Sequence, residues 1–286
     1  MAAVTPELIK QLREATNAGL LDCKKALTES DGDLTAAAEY LRKKGLSKAA
    51  KVADRVAAEG VVALKVEKNS ATIVEINCET DFVAKNAGFK AFADEVLDAV
   101  HSGKPIDEDE LARGAIAKLS EKIAVRRYAA RKIENGVING YLHSNSRVGA
   151  IVAIETTAPL AEFARDIAMH IAAMKPLYLN EAEVPKETIE KEREIAIEQL
   201  KKEGKPEAMV EKIVPGKIKR FIQDNTLEGQ AFVKDDKKSV LDALNAAAKA
   251  HNATAKIVFF ERYEVGEGIA KKSDDFAAEV AAQTKR

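Results

Sequence analysis

The stretch INCETDFVAKN, residues 76–86, sits at the junction on which the fold turns. Before it, Thr72-Ile73-Val74-Glu75-Ile76 is an apolar run that reads as a strand. After it, Phe89, Ala93, Val96 and Val100 recur at spacings of 4, 3 and 4 and predict an amphipathic helix. The polar turn between them holds one large apolar residue, Phe82, flanked by Asp81 and Val83. A turn has no need of such a side chain. Phe82 is therefore either tucked under its loop or aimed at something outside the fold.

An internal repeat bears on the choice. Gly60-Val61-Val62 answers Gly136-Val137-Ile138, Asn69-Ser70 answers Asn145-Ser146, and Glu79-Thr80 answers Glu155-Thr156, all at an offset of 76. Further on, Ala93 matches Ala164, Val96 matches Ile167, Val100 matches Ile171, and Lys104-Pro105 matches Lys175-Pro176, all at 71. Each copy reads as a β-hairpin followed by a helix, which predicts two packed subdomains of one α+β fold. The offsets place about five extra residues in the first copy, directly after Glu79-Thr80.

Three short helices are expected before the repeat. Thr5-Pro6-Glu7 opens the first, Leu20 to Thr28 forms the second, and Ser30-Asp31-Gly32-Asp33 turns into a third that stops at Gly45. The Ala- and Lys-rich residues 46–58 read as a helical linker. Asp107 to Ala117 predicts another helix, and Val125 to Ile133 a strand. Residues 186–222 carry thin apolar seams, Ile189, Ala196 and Leu200 against Val210, Ile213, Val214 and Phe221, around the turn Gly204-Lys205-Pro206. That is the pattern of an antiparallel helical hairpin, with Pro215-Gly216 expected to end or kink its second arm near Val214. Lys256 to Phe260 reads as a strand. Ser273-Asp274-Asp275 caps a predicted terminal helix bearing Phe276 and Val280.

Composition excludes several function classes. The 286 residues hold 45 Lys and Arg against 46 Asp and Glu, a net charge of -1, so no global field draws nucleic acid or a membrane surface. No apolar run approaches the ~18 residues of a membrane span, and MAAVTPELIK lacks a signal pattern. Cys23 and Cys78 lack metal spacing and pair poorly as a disulfide, which fits a reducing, cytoplasmic setting. No phosphate-cradling glycine motif occurs, and no cofactor is called for. The basic pairs Lys43-Lys44, Arg126-Arg127 and Lys271-Lys272 lack interleaved aromatics and read as solvated faces. Among the histidines, His170 belongs to a packed helix, His101 and His251 lie near helix ends, and His143, in a hairpin loop, is the one contact candidate. Cys78 reads as a small buried side chain.

The runs LREATNAGLLDCKKALTESDGD, NCETDFVAKNAGFKAFA, IAMHIAAMKP and LEGQAFV, in this order along the whole chain, resemble the bacterial elongation factor Ts family. The resemblance implies a ubiquitin-associated-like three-helix module at 1–45 and a linker at 46–58. It implies a core subdomain at 59–135, a second at 136–182 and 225–266, a coiled-coil hairpin inserted at 183–224, and a C-terminal helical module at 267–286. It implies a guanine-nucleotide exchange factor for elongation factor Tu, not a chemical catalyst. Thr80, Asp81, Phe82 and Val83 would dislodge Mg²⁺ from the partner's nucleotide site, Phe82 as a wedge. Lys24 would meet the partner's GTPase domain, and His143, Leu119 and Val233 would make further contacts. A homodimer or 2:2 complex through hairpin or core is left open. The competing readings are a non-catalytic RNA- or ribosome-associated protein and an enzyme using Cys78.

Overall fold

The computed structural model describes residues 4–16 and 18–270, with the backbone alone at 45–48. The expected terminal helix around Phe276 lies outside the described residues, as does Lys271-Lys272. The chain is a mixed helix-and-sheet protein, and its described residues divide into two compact units, 4–16, 18–62, 74–128 and 264–270 in one, 63–73 and 129–263 in the other.

In the first unit, α1 (Pro6–Thr16), α2 (Leu20–Glu29) and α3 (Leu34–Val52) close around Leu12, Cys23, Ala26, Leu27 and Ala37. Thr5 Oγ1 accepts from the Leu8 amide at 3.3 Å, and Asp33 accepts from Ala36, so both caps fall where the sequence places them. Gly45 does not stop α3, which runs through to Val52 and takes in much of the expected linker. A glycine inside a helix costs only about 1 kcal/mol relative to alanine, and the following Ala and Lys are strong helix formers.

A three-stranded sheet has the order β1 (Glu59–Glu67), β2 (Ser70–Cys78), β3 (Ala124–Lys132), with β2 central. After β2 come α4 (Asp81–Lys85), α5 (Ala87–His101) and α6 (Glu108–Leu119). The segment at Phe82 is thus a one-turn helix rather than a turn. α5 buries Phe89, Phe92, Ala93, Val96, Leu97 and Val100, the face its periodicity predicts.

In the second unit, β4 (Gly136–Leu142) pairs antiparallel with β5 (Val148–Thr156), from Gly136 opposite Glu155 to Leu142 opposite Gly149. α7 (Ala161–Met174) packs on both strands. After α8 (Lys186–Lys202) and α9 (Glu207–Asn225) come the short pair β6 (Ala231–Phe232) and β7 (Asp235–Ser239), then α10 (Val240–Lys249) and β8 (Ala255–Glu264), which pairs with β5. The core here joins Val152, Ile154, Ile167, Ile171, Leu227, Leu244 and Ile257.

The two hairpin-helix segments correspond, but with gaps placed differently from the sequence reading. β2 and β5 are both nine residues long and start at Ser70 and Val148, an offset of 78. A Cβ on Gly60 would lie 2.0 Å from the Ile76 carbonyl oxygen, and one on Gly136 would lie 2.1 Å from that of Ile154; the glycines keep the offset of 76, while the β2 and β5 residues they approach stand 78 apart. Glu155-Thr156 therefore answers Asn77-Cys78, not Glu79-Thr80. The buried faces of α5 and α7 keep the offset of 71, as in Ala93 and Ala164 or Val96 and Ile167. The excess after β2 is 78 less 71, seven residues rather than five, and it contains all of α4. The second hairpin, in turn, has the longer connection, 143–147 against 68–69. Short matching words cannot locate a gap inside a strand; backbone pairing can.

α8 and α9 share the seam Ala196, Leu200, Val210, Val214 and Ile218. Pro215 neither ends nor breaks α9, which continues ten residues beyond it. Pro215 and Gly216 are solvent-exposed, so the Glu211 carbonyl that loses its donor can turn to water while the seam carries the helix onward. Pro215→Ala is expected to stabilise the hairpin by up to about 3 kcal/mol. Hydrogen exchange at the α9 amides should slow accordingly; unchanged protection would refute this account.

Candidate functional site

Thr80 has extended backbone (φ -123°, ψ 154°) and its Oγ1 accepts from the Val83 amide at 3.3 Å, capping α4. Asp81, in the first turn, accepts from Lys85 Nζ at 2.6 Å. That hydrogen bond holds its carboxyl below the ordinary carboxylate value. Ala84 faces inward. Phe82 is 82% exposed, so the reading of a side chain tucked beneath its loop is excluded.

The mount beneath this helix was not legible in the sequence. Glu121, two residues past α6, takes the Glu79 and Thr80 amides on Oε2 at 3.1 and 3.0 Å, and the Thr80 hydroxyl on Oε1 at 2.6 Å. Glu79 returns the arrangement: its Oε1 accepts from the Lys122 amide at 2.6 Å and from Arg55 at 3.2 Å. Ser120, at φ 61°, supplies the left-handed turn that brings Glu121 round. Leu119, a predicted contact, ends α6 half-buried beside this junction. At the far end of α4, Asn86 accepts from Gly88 at 2.7 Å and opens α5.

Cys78 is buried, and burial first, then the Glu121 carboxylate, pushes its thiol up to about 12. It donates to the Thr80 carbonyl at 3.2 Å. A thiol so protonated and enclosed is a poor nucleophile. Alkylation by iodoacetamide at pH 8 under native conditions is expected to be slow at Cys78 and to become fast only on unfolding; rapid native labelling would refute this.

Lys24 projects from α2 into solvent. Beside it Leu20 and Leu21 are 57% and 80% exposed, an apolar pair whose exposure the sequence reading passed over. His143 is exposed at the start of the longer hairpin loop, its Nδ1 3.1 Å from the Tyr141 hydroxyl. Val233 is 46% exposed and its amide donates to Nδ1 of the fully buried His170 at 3.2 Å. Nε2 of His170 meets Gln230 Oε1 at 2.9 Å, and Gln230 in turn donates to the Met174 and Asp224 carbonyls. His170 is thus neutral, with the proton on Nε2, and burial lowers its pKa from 6.5. Thr80–Val83, Lys24 and Leu119 belong to the first compact unit, His143 and Val233 to the second.

Because folding depresses the His170 pKa, its contribution to stability is complete above 6.5 and is lost as pH falls toward the folded-state value. The thermal midpoint should therefore drop less between pH 7 and pH 5 in His170→Gln than in the parent protein. Parallel pH profiles for the two would refute it.

Among the described residues, members of two of the basic pairs meet acids. Arg126 and Arg127 hold Glu75 at 2.9 and 2.6 Å, and Lys44 pairs with Asp22. Among the described residues no cluster of three or more His, Cys, Asp or Glu could hold a metal, and no helix is long and apolar enough to cross a membrane.

A family model described as Elongation factor TS matches residues 79–267, from the mount of α4 to the end of the described core. The chain belongs to the elongation factor Ts family. Proteins named elongation factor Ts from a Nitratiruptor species and from Nautilia profundicola are 53% and 48% identical, each over 304 aligned positions, covering 99% of this chain and 100% and 99% of theirs. One from Serratia proteamaculans is 46% identical over 293 positions and the full length of both chains. Membership places the chain among the factors of translation elongation and nucleotide exchange, and Phe82 lies inside the matched elongation factor Ts region.

Proposed function

We propose that this protein binds elongation factor Tu in its GDP-bound form and speeds GDP release by displacing the nucleotide's Mg²⁺, so that GTP can rebind. The observation that carries the reading is Phe82, a large aromatic side chain 82% exposed on a capped and braced one-turn helix. Aromatic anchors supply much of the affinity in interfaces, and one held clear of its own fold on a rigid mount is available to a partner. Mg²⁺ neutralises the nucleotide's phosphates, and its displacement leaves their charge poorly compensated. A factor that prefers the nucleotide-free partner weakens nucleotide binding in the same ratio, by linkage.

In this reading Thr80 to Val83 form the wedge, Asp81 also facing the partner. Lys24, with Leu20 and Leu21 beside it, contacts the GTPase domain. Leu119 flanks the wedge, and His143 and Val233 reach further domains. The three-helix module, with α3 prolonged to Val52, the two hairpin-helix subdomains and the α8–α9 hairpin are taken as the corresponding domains. The work is done by binding alone in a cytosolic setting, with no bond made or broken.

Release of a fluorescent GDP analogue from elongation factor Tu tests it. Substoichiometric amounts of this protein should accelerate release over many turnovers. Absence of acceleration, or acceleration needing stoichiometric protein, would overturn the proposal.

A further inference from the structure

We infer that Glu121 is the positioning residue of the Phe82 helix, and that it governs the maximal rate of exchange without itself touching the partner; this rests on the exchange reading above. α4 has five residues, far below the ~12–15 that a helix needs to persist in water on its own. Something outside it must hold it, and the Thr80 cap is the nearest support. That cap depends on Glu121. Thr80 Oγ1 can accept from Val83 only in one rotamer, and the 2.6 Å hydrogen bond its hydroxyl donates to Glu121 Oε1 selects that rotamer. The other Glu121 oxygen takes the two amides that lead into the helix, at 3.1 and 3.0 Å. One carboxylate therefore sets both where α4 starts and the direction in which it leaves β2.

The junction is tied down on its other side as well. Glu79 binds the Lys122 amide, so the two chain segments each present a carboxylate to the other's backbone. Lys122 Nζ reaches the Ala53 carbonyl at 2.6 Å, and Arg55 reaches Glu79. The segment that follows α3 thereby meets the same junction. Phe82, by contrast, makes little contact with its own fold. Its direction is inherited from the helix, and the helix direction from Glu121. Groups that must enter a partner's site lose effectiveness steeply when misplaced by even about 1 Å.

The test uses the full chain carrying Glu121→Ala, Glu121→Gln, Phe82→Ala or the first and third together. GDP release from elongation factor Tu is followed against factor concentration, and backbone hydrogen exchange is read in parallel. Expected for Glu121→Ala is a maximal release rate lowered about tenfold, with the half-saturating concentration within about twofold of the parent, since Lys24, His143 and Val233 are untouched. The double variant should be no slower than Phe82→Ala alone, because Glu121 acts through Phe82. Amides of Thr80, Val83 and Ala84 should exchange faster while those of β2 and α5 stay protected. Glu121→Gln should recover part of the rate, since one amide oxygen can accept both N–H groups.

Additive effects of Glu121→Ala and Phe82→Ala would overturn the inference. So would a raised half-saturating concentration at an unchanged maximal rate, which would make Glu121 a direct contact, or unaltered exchange at Thr80 to Ala84. If Phe82→Ala alone releases GDP like the parent, the wedge reading falls, and the amide comparison still decides whether Glu121 holds the helix.

Discussion

Phe82→Ala is expected to abolish most of the acceleration of GDP release while leaving the protein folded. The side chain is 82% exposed, so its removal opens no cavity and its effect on the thermal midpoint should be small. A central aromatic anchor is worth at least about 2 kcal/mol to an interface, which corresponds to roughly a 30-fold loss of rate acceleration if that affinity is realised only as nucleotide leaves. Phe82→Leu should recover part of it by keeping apolar volume. Stopped-flow release of a fluorescent GDP analogue, with circular dichroism as the folding control, decides the matter. Parent-like release in the alanine variant would sink the wedge.

The second large effect is on stability. Glu75 is fully buried on the central strand β2, where its carboxylate meets Arg126 Nη1 at 2.9 Å, Arg127 Nε at 2.6 Å and the Gly266 amide at 2.9 Å. Arg127 also pairs with Glu267 at 3.1 Å, and Arg126 reaches the Glu267 carbonyl. Glu75→Ala would leave the Gly266 amide without its acceptor and the two guanidiniums facing one another without their shared anion. Breaking a buried pair from one side costs about 3–5 kcal/mol. The arginines are 26% and 31% exposed, so water compensates in part and the lower end of that range is expected. Against a typical total of about 5–15 kcal/mol this is a severe loss. Urea denaturation of the variant should show a much lower midpoint. A stability within the ~0.5 kcal/mol tolerance of ordinary surface changes would show that the cluster stabilises nothing.

How legible these features were depends on the range of the interactions behind them. Phe82 could be noticed because a lone aromatic in a polar segment is a local anomaly. The faces of α5 and α7 could be drawn because burial follows a 3.6-residue period. Glu75 could not be singled out, since it sits in an apolar run and its partners lie some fifty residues away in one case and 191 in the other. Glu121 was hidden for the same reason, with 41 residues separating it from Thr80. Gly45 was read as a stop, and Pro215 as a stop or a kink, because breakers are judged on local preference. Tertiary packing along the α9 seam, and the strong helix formers after Gly45, outweigh that preference. The seven-residue excess at Phe82 and the longer loop at His143 could be placed only once strand pairing fixed the offsets. Each hairpin thus departs from its counterpart at the position proposed to meet the partner.

Asn86 closes α4 and, with extended backbone (φ -66°, ψ 135°), opens α5 with its own side-chain cap. The hydrogen bonds of the long helix therefore do not run on from those of the short one. α4 is thus a hydrogen-bonded unit of its own, so the fraying expected on removing its brace at Glu121 stays within its own few residues. The ladder of α5 and its buried face from Phe89 onward stand independently of it, a replaceable fitting on a fixed frame.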